Sequence, residues 1–496
     1  MAVMTLHALL DGIAVVANGD DRSIVGLSDD SRNVGRGQVF LAYPGYCSDG
    51  RDYIDAAISA GAIAVVYDSK NFDPLSVSSP VPMVAIDALQ SQVGSIAARF
   101  FRYPSKDMNI YAVTGTNGKT SVSHFLAQAL HGVRPVGVMG TLGNGLWGSL
   151  AGSPLTTQSA LNVQKMLMQM RADGVADVVV EASSHGLAQN RLSATQVNTA
   201  IFTNLSQDHL DYHHTMANYA AAKRRLFEVE GLKHAVINVY DAYGAQVANS
   251  LPANVELYSY GLGGMGGSES VKPMVRGCIK KSSLSGIEID IESPHGNATL
   301  ASSILGGFNA ENLLAVLAAM LANGVDFTEA LEKLSLTHPV VGRMERFTKE
   351  GHAQVFVDYA HTPAALDLAL AEIKRCCHGR VYVVFGCGGE RDKTKRAQMG
   401  EIAQKYADVV VVTDDNPRNE SAQAIVDDIL LGVTADDSVH VVRDRAKAIL
   451  FCLEQAKKED VVLIAGKGHE DYQLIGNERL AFSDRELVRE FMAQAA

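Results

Sequence analysis

The chain has 496 residues, 47% of them hydrophobic and 20% charged, with a net charge of -12. That length exceeds what one hydrophobic core supports, so two to four domains are expected, in the composition of an ordinary soluble globular protein. The acidic balance argues against a nucleic-acid partner held by counterion release, while one local cationic pocket is enough for an anionic small substrate.

The N-terminal stretch "MAVMTLHALLDGIAVV" has no basic leader, and Asp11 interrupts it, so no signal peptide is expected. No apolar run is long enough to span a bilayer. Six cysteines lie scattered with no CxxC pair, which reads as reduced thiols in the cytoplasm. Residues 1–106 mix short strands and helices and end near "RYPSKD". From about residue 107 a βα pattern begins, with "NIYAVTG" as a strand and "KTSVSHFLAQAL" at helical spacing. "DVVVEAS", "TAIFTNLS" and "HAVINV" read as further buried strands of a mostly parallel sheet, and "YGLGGMGGSES" as a loop. A second break falls near "LTHPVVGRMER". Beyond it, "VFVDYA", "VYVVFGC", "DVVVVTD", "VHVVRD" and "DVVLIAG" alternate with helices such as "PAALDLALAEIKR", the pattern of a Rossmann-like α/β domain.

The strongest chemical signal is "VTGTNGKTS", Val113 to Ser121, between a strand and a helix. Glycines let the backbone wrap phosphates, helix N-terminal amides favour anions, and Lys119 reaches the terminal phosphates. Thr120 offers a hydroxyl to Mg²⁺. Val113 stands where the longer phosphate-loop consensus has its first glycine. A nucleotide site alone leaves two classes open: an enzyme that activates a substrate with ATP, and a switch or motor. Glu181 ends the strand in "DVVVEAS", and His209 follows the strand before "QDHLDYH". With Thr120 they are a candidate Mg²⁺ set, although His is an uncommon ligand for that ion. Asp208, His213 and His214 read as loop-capping groups. Lys223, in "NYAAAKRRLFE", reads from spacing alone as part of a solvated basic face. "TDDNPRNE" reads on local grammar as a turn.

"GTNGKT", "EASSHGL", "TNLSQDHLDYH", "YAAAKRRLF", "GGFNAENLLA", "GRMER", "VDYAHTP", "GCGGERDK", "DNPR" and "AGKGHEDYQ" occur in that order. The set resembles the Mur ligase family over essentially the whole chain, and within it the members that add diaminopimelate. The resemblance implies three α/β domains: a UDP-substrate-binding domain at 1–106, a central P-loop-type ATP-binding domain at 107–340 and a C-terminal amino-acid-binding domain at 341–496. It implies a monomeric, cytoplasmic ATP-dependent ligase of peptidoglycan precursor synthesis, with Mg²⁺ as cofactor and neither nucleic-acid nor membrane partners. The reaction implied joins meso-2,6-diaminopimelate to UDP-N-acetylmuramoyl-L-alanyl-D-glutamate through an acyl phosphate.

Carried onto this sequence, the ATP-binding positions are Gly115, Thr116, Asn117, Gly118, Lys119, Thr120 and Ser121, joined by Asn309, Arg343 and Asp358. The UDP-substrate end falls to Asp29, Ser31, Tyr46, Cys47 and Ser48, where the family often has His-Gln-Ala-like residues in place of the last three. Thr156, Thr157, Ser183, Gln189 and Arg191 match further substrate positions. Lys223 matches the family's carbamylated lysine, which makes it a metal ligand beside Thr120, Glu181 and His209. Lys119, Lys223, His209 and Glu181 are thus the implied catalytic group. Diaminopimelate is expected at Arg391, Asp415, Asn416, Pro417, Arg418, Gly466 and Glu470, with Arg418 as a fork for the distal carboxylate. Three rivals stay open: a lysine-adding relative, folylpolyglutamate synthase, and a P-loop switch.

Overall fold

Continuous apolar runs, too uniform to have one wet face, form parallel strands buried on both sides. The computed structural model describes residues 4–46, 48–74, 77, 79–132, 135–263, 272–434 and 436–494. Their contacts group into two units. The first comprises Met1–Lys119, Leu130–Ile237 and Gln246–Leu257; the second comprises Thr120–Ala129, Asn238–Ala245 and Tyr258–Ala496. Three principal sheets give a three-domain α/β fold.

In the first unit, β1 (Gly26–Ser28), β2 (Gln38–Ala42), β3 (Ala64–Asp68) and β4 (Met83–Ile86) form a parallel sheet in sequence order. The same unit holds β5 (Asn109–Thr114), β6 (Val136–Gly140), β7 (Gly143–Leu146), β8 (Ser149–Ala151), β9 (Asp177–Glu181), β10 (Thr199–Phe202) and β11 (His234–Asn238). Their order is β8-β7-β6-β9-β5-β10-β11, parallel from β6 to β11 and antiparallel through β7 and β8. The β6–β8 meander was not read from the sequence. Helix α1 (Lys119–Leu130) follows β5, α2 (Ala160–Ala172) precedes β9, and α3 (Met216–Arg224) precedes β11. Ser159 starts α2 by accepting from the Asn162 amide.

In the second unit, β12 (Glu256–Gly263) pairs parallel with β13 (Val275–Ser283). β13, β14 (Gly286–Ser293) and β15 (Gly296–Ser302) then form an antiparallel meander, packed against α4 (Gly307–Ala322). This meander was not read from the sequence, which pointed to a mostly parallel sheet. Half of each strand's side chains face out, and the alternation Ile287, Ile289, Ile291 against Glu288, Asp290, Glu292 carries that signal. The glycine-rich "YGLGGMGGSES" is strand through Gly263; residues 264–271 lie outside the described residues. The last sheet runs β16 (Glu345–Phe347), β17 (Gln354–Asp358), β21 (Val461–Ala465), β18 (Val381–Phe385), β19 (Val409–Val412), β20 (Val439–Val441), and only β16 is antiparallel. Helices α5 (Pro363–Cys376), α6 (Thr394–Tyr406) and α7 (Ala422–Leu430) cover it, with α8 (Arg445–Gln455) and α9 (Asp484–Gln494). A hairpin of β22 (Tyr472–Ile475) and β23 (Glu478–Ala481) follows β21. Among the described residues no helix is long and apolar enough to cross a membrane.

Candidate active site

The loop after β5 is held by β10. The Thr116 amide donates to Asn204 O at 2.8 Å, the Asn117 amide to Asn204 Oδ1 at 2.9 Å, and Thr203 Oγ1 to Asn117 O at 2.6 Å. A Cβ at Gly115 would lie 1.8 Å from Thr203 Oγ1, and its φ is +152°, so only glycine fits. Lys119 Nζ donates to Gly115 O and Thr116 O, both at 2.9 Å. Lys223 Nζ donates to the same Gly115 carbonyl at 2.6 Å and lies 4.4 Å from the Tyr219 ring centroid. Two lysine side chains thus converge on one backbone carbonyl.

Lys223 is 1% exposed, which overturns the solvated-face reading of its helix. Burial, and then the charge of Lys119, lower its pKa well below that of an ordinary lysine, against an opposing pull from Asp208. The basic neighbours Arg224 and Arg225 are exposed, and they supplied the misleading pattern. Tyr219, one turn earlier, was missed by sequence reading. Its hydroxyl bonds Thr116 Oγ1 at 3.1 Å, tying α3 to the phosphate loop.

Glu181 is fully buried at the end of β9 and accepts from the Thr141 amide at 2.9 Å and Thr141 Oγ1 at 3.1 Å. His209 sits in a left-handed conformation, with Asp208 Oδ2 3.5 Å from its Nε2 and the His185 ring centroid at 4.9 Å. Burial lowers the His209 pKa, so its ring is neutral and keeps a lone pair for a ligand. The Glu181 carboxylate is an oxygen donor of the kind Mg²⁺ takes, and the neutral His209 imidazole is the less common one. Among the described residues no cluster of three or more His, Cys, Asp and Glu side chains is gathered for a metal. His213 and His185 pack with Tyr212, and burial brings each of the two imidazoles down to about 4.

The expected substrate residues of the central sheet form one network. Thr157 Oγ1 donates to Glu181 O at 2.6 Å and to Ser183 Oγ at 3.1 Å. Arg191 reaches Thr157 O at 2.6 Å and grips Gln189 Oε1 through Nε and Nη2, at 3.2 and 2.7 Å. Gln189 in turn donates to the Tyr212 hydroxyl at 3.1 Å, and Tyr46 packs on Tyr212 at 5.1 Å between centroids. Thr156 Oγ1 meets Thr141 Oγ1 at 3.1 Å. Asp29 accepts from the half-buried Tyr43 hydroxyl at 3.1 Å. Ser31 opens a 3₁₀ turn capped by Asp30, and Ser48 is exposed. Cys47 lies outside the described residues.

In the second unit, Thr120 and Ser121 are buried in the first turn of α1. Asn309 donates to Leu305 O at 2.8 Å and accepts from Asn312 at 3.0 Å. Arg343 lies over the Tyr359 ring at 4.1 Å, and its buried Nη1 has no hydrogen-bond partner, a donor poised for an anionic ligand. Asp358 accepts from the Met344 amide at 2.6 Å and the Ala360 amide at 2.8 Å, fixing the backbone on both sides of this region; burial raises its pKa. His361 Nδ1 meets Tyr359 O at 2.7 Å, consistent with a structural place.

The "DNPR" segment is more than a turn. Asp415, Asn416 and Pro417 are buried, and Arg418 adopts φ +53° with Nη1 on Gly389 O at 2.8 Å. A Cβ at Gly388 would lie 3.0 Å from Arg418 Nη1 and 3.7 Å from Arg391 Cγ, so the two arginines flank one glycine. Asn416 Nδ2 donates to Glu470 Oε2 at 2.9 Å. Gly466, at φ +111°, would place a Cβ 3.0 Å from Asp415 Oδ2. Lys467 was missed. Fully buried, it donates to Glu470 Oε2 at 3.0 Å and Asn416 Oδ1 at 3.2 Å, with Asp415 Oδ1 at 3.6 Å. Its place between two glycines at a strand end was the available signal.

A phosphate loop on a parallel sheet, followed by a Rossmann-like domain with a pocket of paired charges, defines a nucleotide-dependent α/β enzyme. Residues 113–320 match the Mur ligase middle domain, 342–468 the Mur ligase glutamate ligase domain and 23–101 the Mur ligase family catalytic domain. The chain belongs to the Mur ligase family. It is 42% identical over 468 residues to the UDP-N-acetylmuramoyl-L-alanyl-D-glutamate–2,6-diaminopimelate ligase of Coxiella burnetii, covering 94% of this chain and 95% of that one. It is 44% identical over 494 residues to the protein of the same name from Alkalilimnicola ehrlichii, covering 98% of each. A solved structure of a ligase with that name superposes at a TM-score of 0.71, with 35% identity and 100% of both chains covered.

Proposed function

We propose that the chain is an ATP-dependent ligase that adds meso-2,6-diaminopimelate to UDP-N-acetylmuramoyl-L-alanyl-D-glutamate, in the cytoplasm and as a monomer, during peptidoglycan precursor synthesis. The observation that carries it is the pair Arg391 and Arg418 about Gly388, with Asp415, Asn416 and Glu470 behind. Such a pocket suits a zwitterionic end: guanidinium for carboxylate, carboxylate and amide for ammonium. The relatives' names supply the rest of the substrate. Residues 1–106, 107–340 and 341–496 are the proposed substrate, ATP and amino-acid domains, a division supported by the three matched spans.

A carboxylate is a poor electrophile, so it must first be activated. The D-Glu γ-carboxylate oxygen attacks the γ-phosphorus of ATP, the bond to the β-γ bridging oxygen breaks, and ADP leaves. Lys119 offsets the repulsion between the two anions, as does the free Arg343 donor. The diaminopimelate amine then attacks the acyl carbon, loses a proton, and phosphate departs as the amide forms. Asn309 and Asp358 hold the ATP side; Thr156, Thr157, Ser183, Gln189 and Arg191 hold the peptide end; Asp29, Ser31, Tyr46 and Ser48 face the UDP end. Lys223, whose burial favours the neutral amine, attacks CO₂ and releases a proton to become a carbamate. Mg²⁺ bound by Thr120, Glu181, His209 and that carbamate would screen the phosphate charge.

An amino-acid panel tests the reading. Phosphate release from ATP with UDP-N-acetylmuramoyl-L-alanyl-D-glutamate should depend on meso-diaminopimelate. Release that ignores the amino acid, or that needs a folate in place of the UDP substrate, refutes it.

A further inference from the structure

The arginines of the amino-acid pocket sit on two loops, residues 386–393 after β18 and 413–421 after β19. The backbones touch: the Gly389 amide donates to Asn416 O at 2.9 Å, and Arg418 returns a bond to Gly389 O at 2.8 Å. A second set of contacts lies outside the pocket. The Glu420 carboxylate accepts from the Glu390 amide at 2.9 Å and takes both arms of Arg396 at 2.8 Å each. Lys393 Nζ adds an ion pair at 3.0 Å. Arg396, on α6, is fully buried and also reaches Asp428 at 2.9 Å and Gly388 O at 3.4 Å. Asn419 Nδ2 meets Glu390 Oε1 at 3.2 Å.

Each loop carries a non-glycine residue in the left-handed region, Glu390 at φ +55° and Arg418 at φ +53°. Such conformations persist only where the surroundings over-determine them. There is no slack for a different approach. A Cβ on Gly389 would lie 1.9 Å from Pro417 O and 3.0 Å from Glu420 Cβ. Arg391 and Arg418 flank Gly388, so the distance between their guanidinium groups follows from how closely the loops are drawn together. The forked Arg396–Glu420 pair is the strongest and most directional tie across that gap.

We propose that Glu420 and Arg396 are a positioning pair that sets amino-acid specificity, holding Arg391 and Arg418 at the spacing that receives the distal carboxylate of the incoming diamino acid. The proposal rests on reading the pocket at Arg391 and Arg418 as the amino-acid site. Steady-state kinetics on wild type, Glu420→Gln and Arg396→Lys test it, with each of the three substrates varied in turn. Glu420→Gln keeps the shape and loses the charge; Arg396→Lys keeps the charge and loses the fork. For both variants the diaminopimelate KM should rise about tenfold or more, and the preference over lysine should shrink. The KM values for ATP and the UDP substrate should stay within about twofold, with kcat moving less than the diaminopimelate KM. Glu420→Asp, which restores the charge on a shorter arm, should recover part of the KM. An unmoved diaminopimelate KM in folded variants, or an equal rise in all three KM values, overturns the pair while leaving the pocket reading intact. A wild type that uses lysine better than diaminopimelate overturns the pocket reading and the pair with it.

Discussion

Two lysines aimed at the Gly115 carbonyl make opposite demands on their surroundings. Lys119 belongs to a loop built to meet a polyanion, so Lys119→Ala should leave the fold intact and lower kcat on the order of 10³-fold or more, as when a main electrostatic stabiliser is removed. Near-normal turnover by a folded variant contradicts the phosphate-loop assignment. Lys223 is buried, which favours its neutral amine, the form that can add CO₂. Lys223→Ala should therefore be crippled, with formate or acetate restoring part of the rate by filling the vacated ligand position. Full activity without any added carboxylate defeats the carbamate reading. The sequence context of Lys223 pointed to a wet helix face, because its neighbours on the chain are basic. Burial depends on Tyr219, one helical turn away, and on the Gly115 carbonyl, which only the tertiary fold brings to Lys223.

Strand neighbours decide where Glu181 can stand. β6 and β9 pair in register from Val136–Asp177 to Met139–Val180, so Gly140 comes beside Glu181. A Cβ at Gly140 would lie 2.3 Å from Glu181 Oε1, and the carboxylate would have to move off Thr141. Gly140→Ala should cost about 1–3 kcal/mol in stability and reduce activity at unchanged expression; a variant equal to wild type in both thermal unfolding and turnover removes this support for the Glu181 role. In α4, burial and then nearby Asp241 raise the Glu311 pKa to about 7. The sign follows from linkage: the native state holds its proton more tightly than the unfolded chain, so stability present below about pH 4.5 is lost as pH rises through about 7. Glu311→Gln should match wild type near pH 4.5 and exceed it by up to about 3 kcal/mol above pH 7. Equal thermal midpoints for the two proteins at pH 8 contradict this. Strands such as "DVVVVTD" were legible because burial on both faces leaves an unbroken apolar run. The β6–β8 meander was not, since β7 and β8 draw on glycine, serine and asparagine and carry no period-two signal.

Across the whole molecule, a net charge of -12 coexists with cationic foci at Lys119, Arg343, Arg391 and Arg418. The excess acid was readable from composition; the foci were readable only as motifs, and Lys467, Arg396 and Glu420 not even so. Their roles come from loops brought together by β18, β19 and β21, which are far apart on the chain. The central claim is that these loops choose among amino acids by the charge at their distal end. Lysine lacks the second carboxylate, and a site built around that charge rejects a ligand without it by about 2–5 kcal/mol. The most direct measurement is kcat/KM for meso-diaminopimelate and for L-lysine, on wild type and on Arg418→Ala, with ATP and UDP-N-acetylmuramoyl-L-alanyl-D-glutamate saturating. Wild type should favour diaminopimelate by about 30-fold or more, and Arg418→Ala should lose most of that ratio mainly through the diaminopimelate KM. A wild type that favours lysine, or an Arg418→Ala ratio equal to that of wild type, would contradict the account.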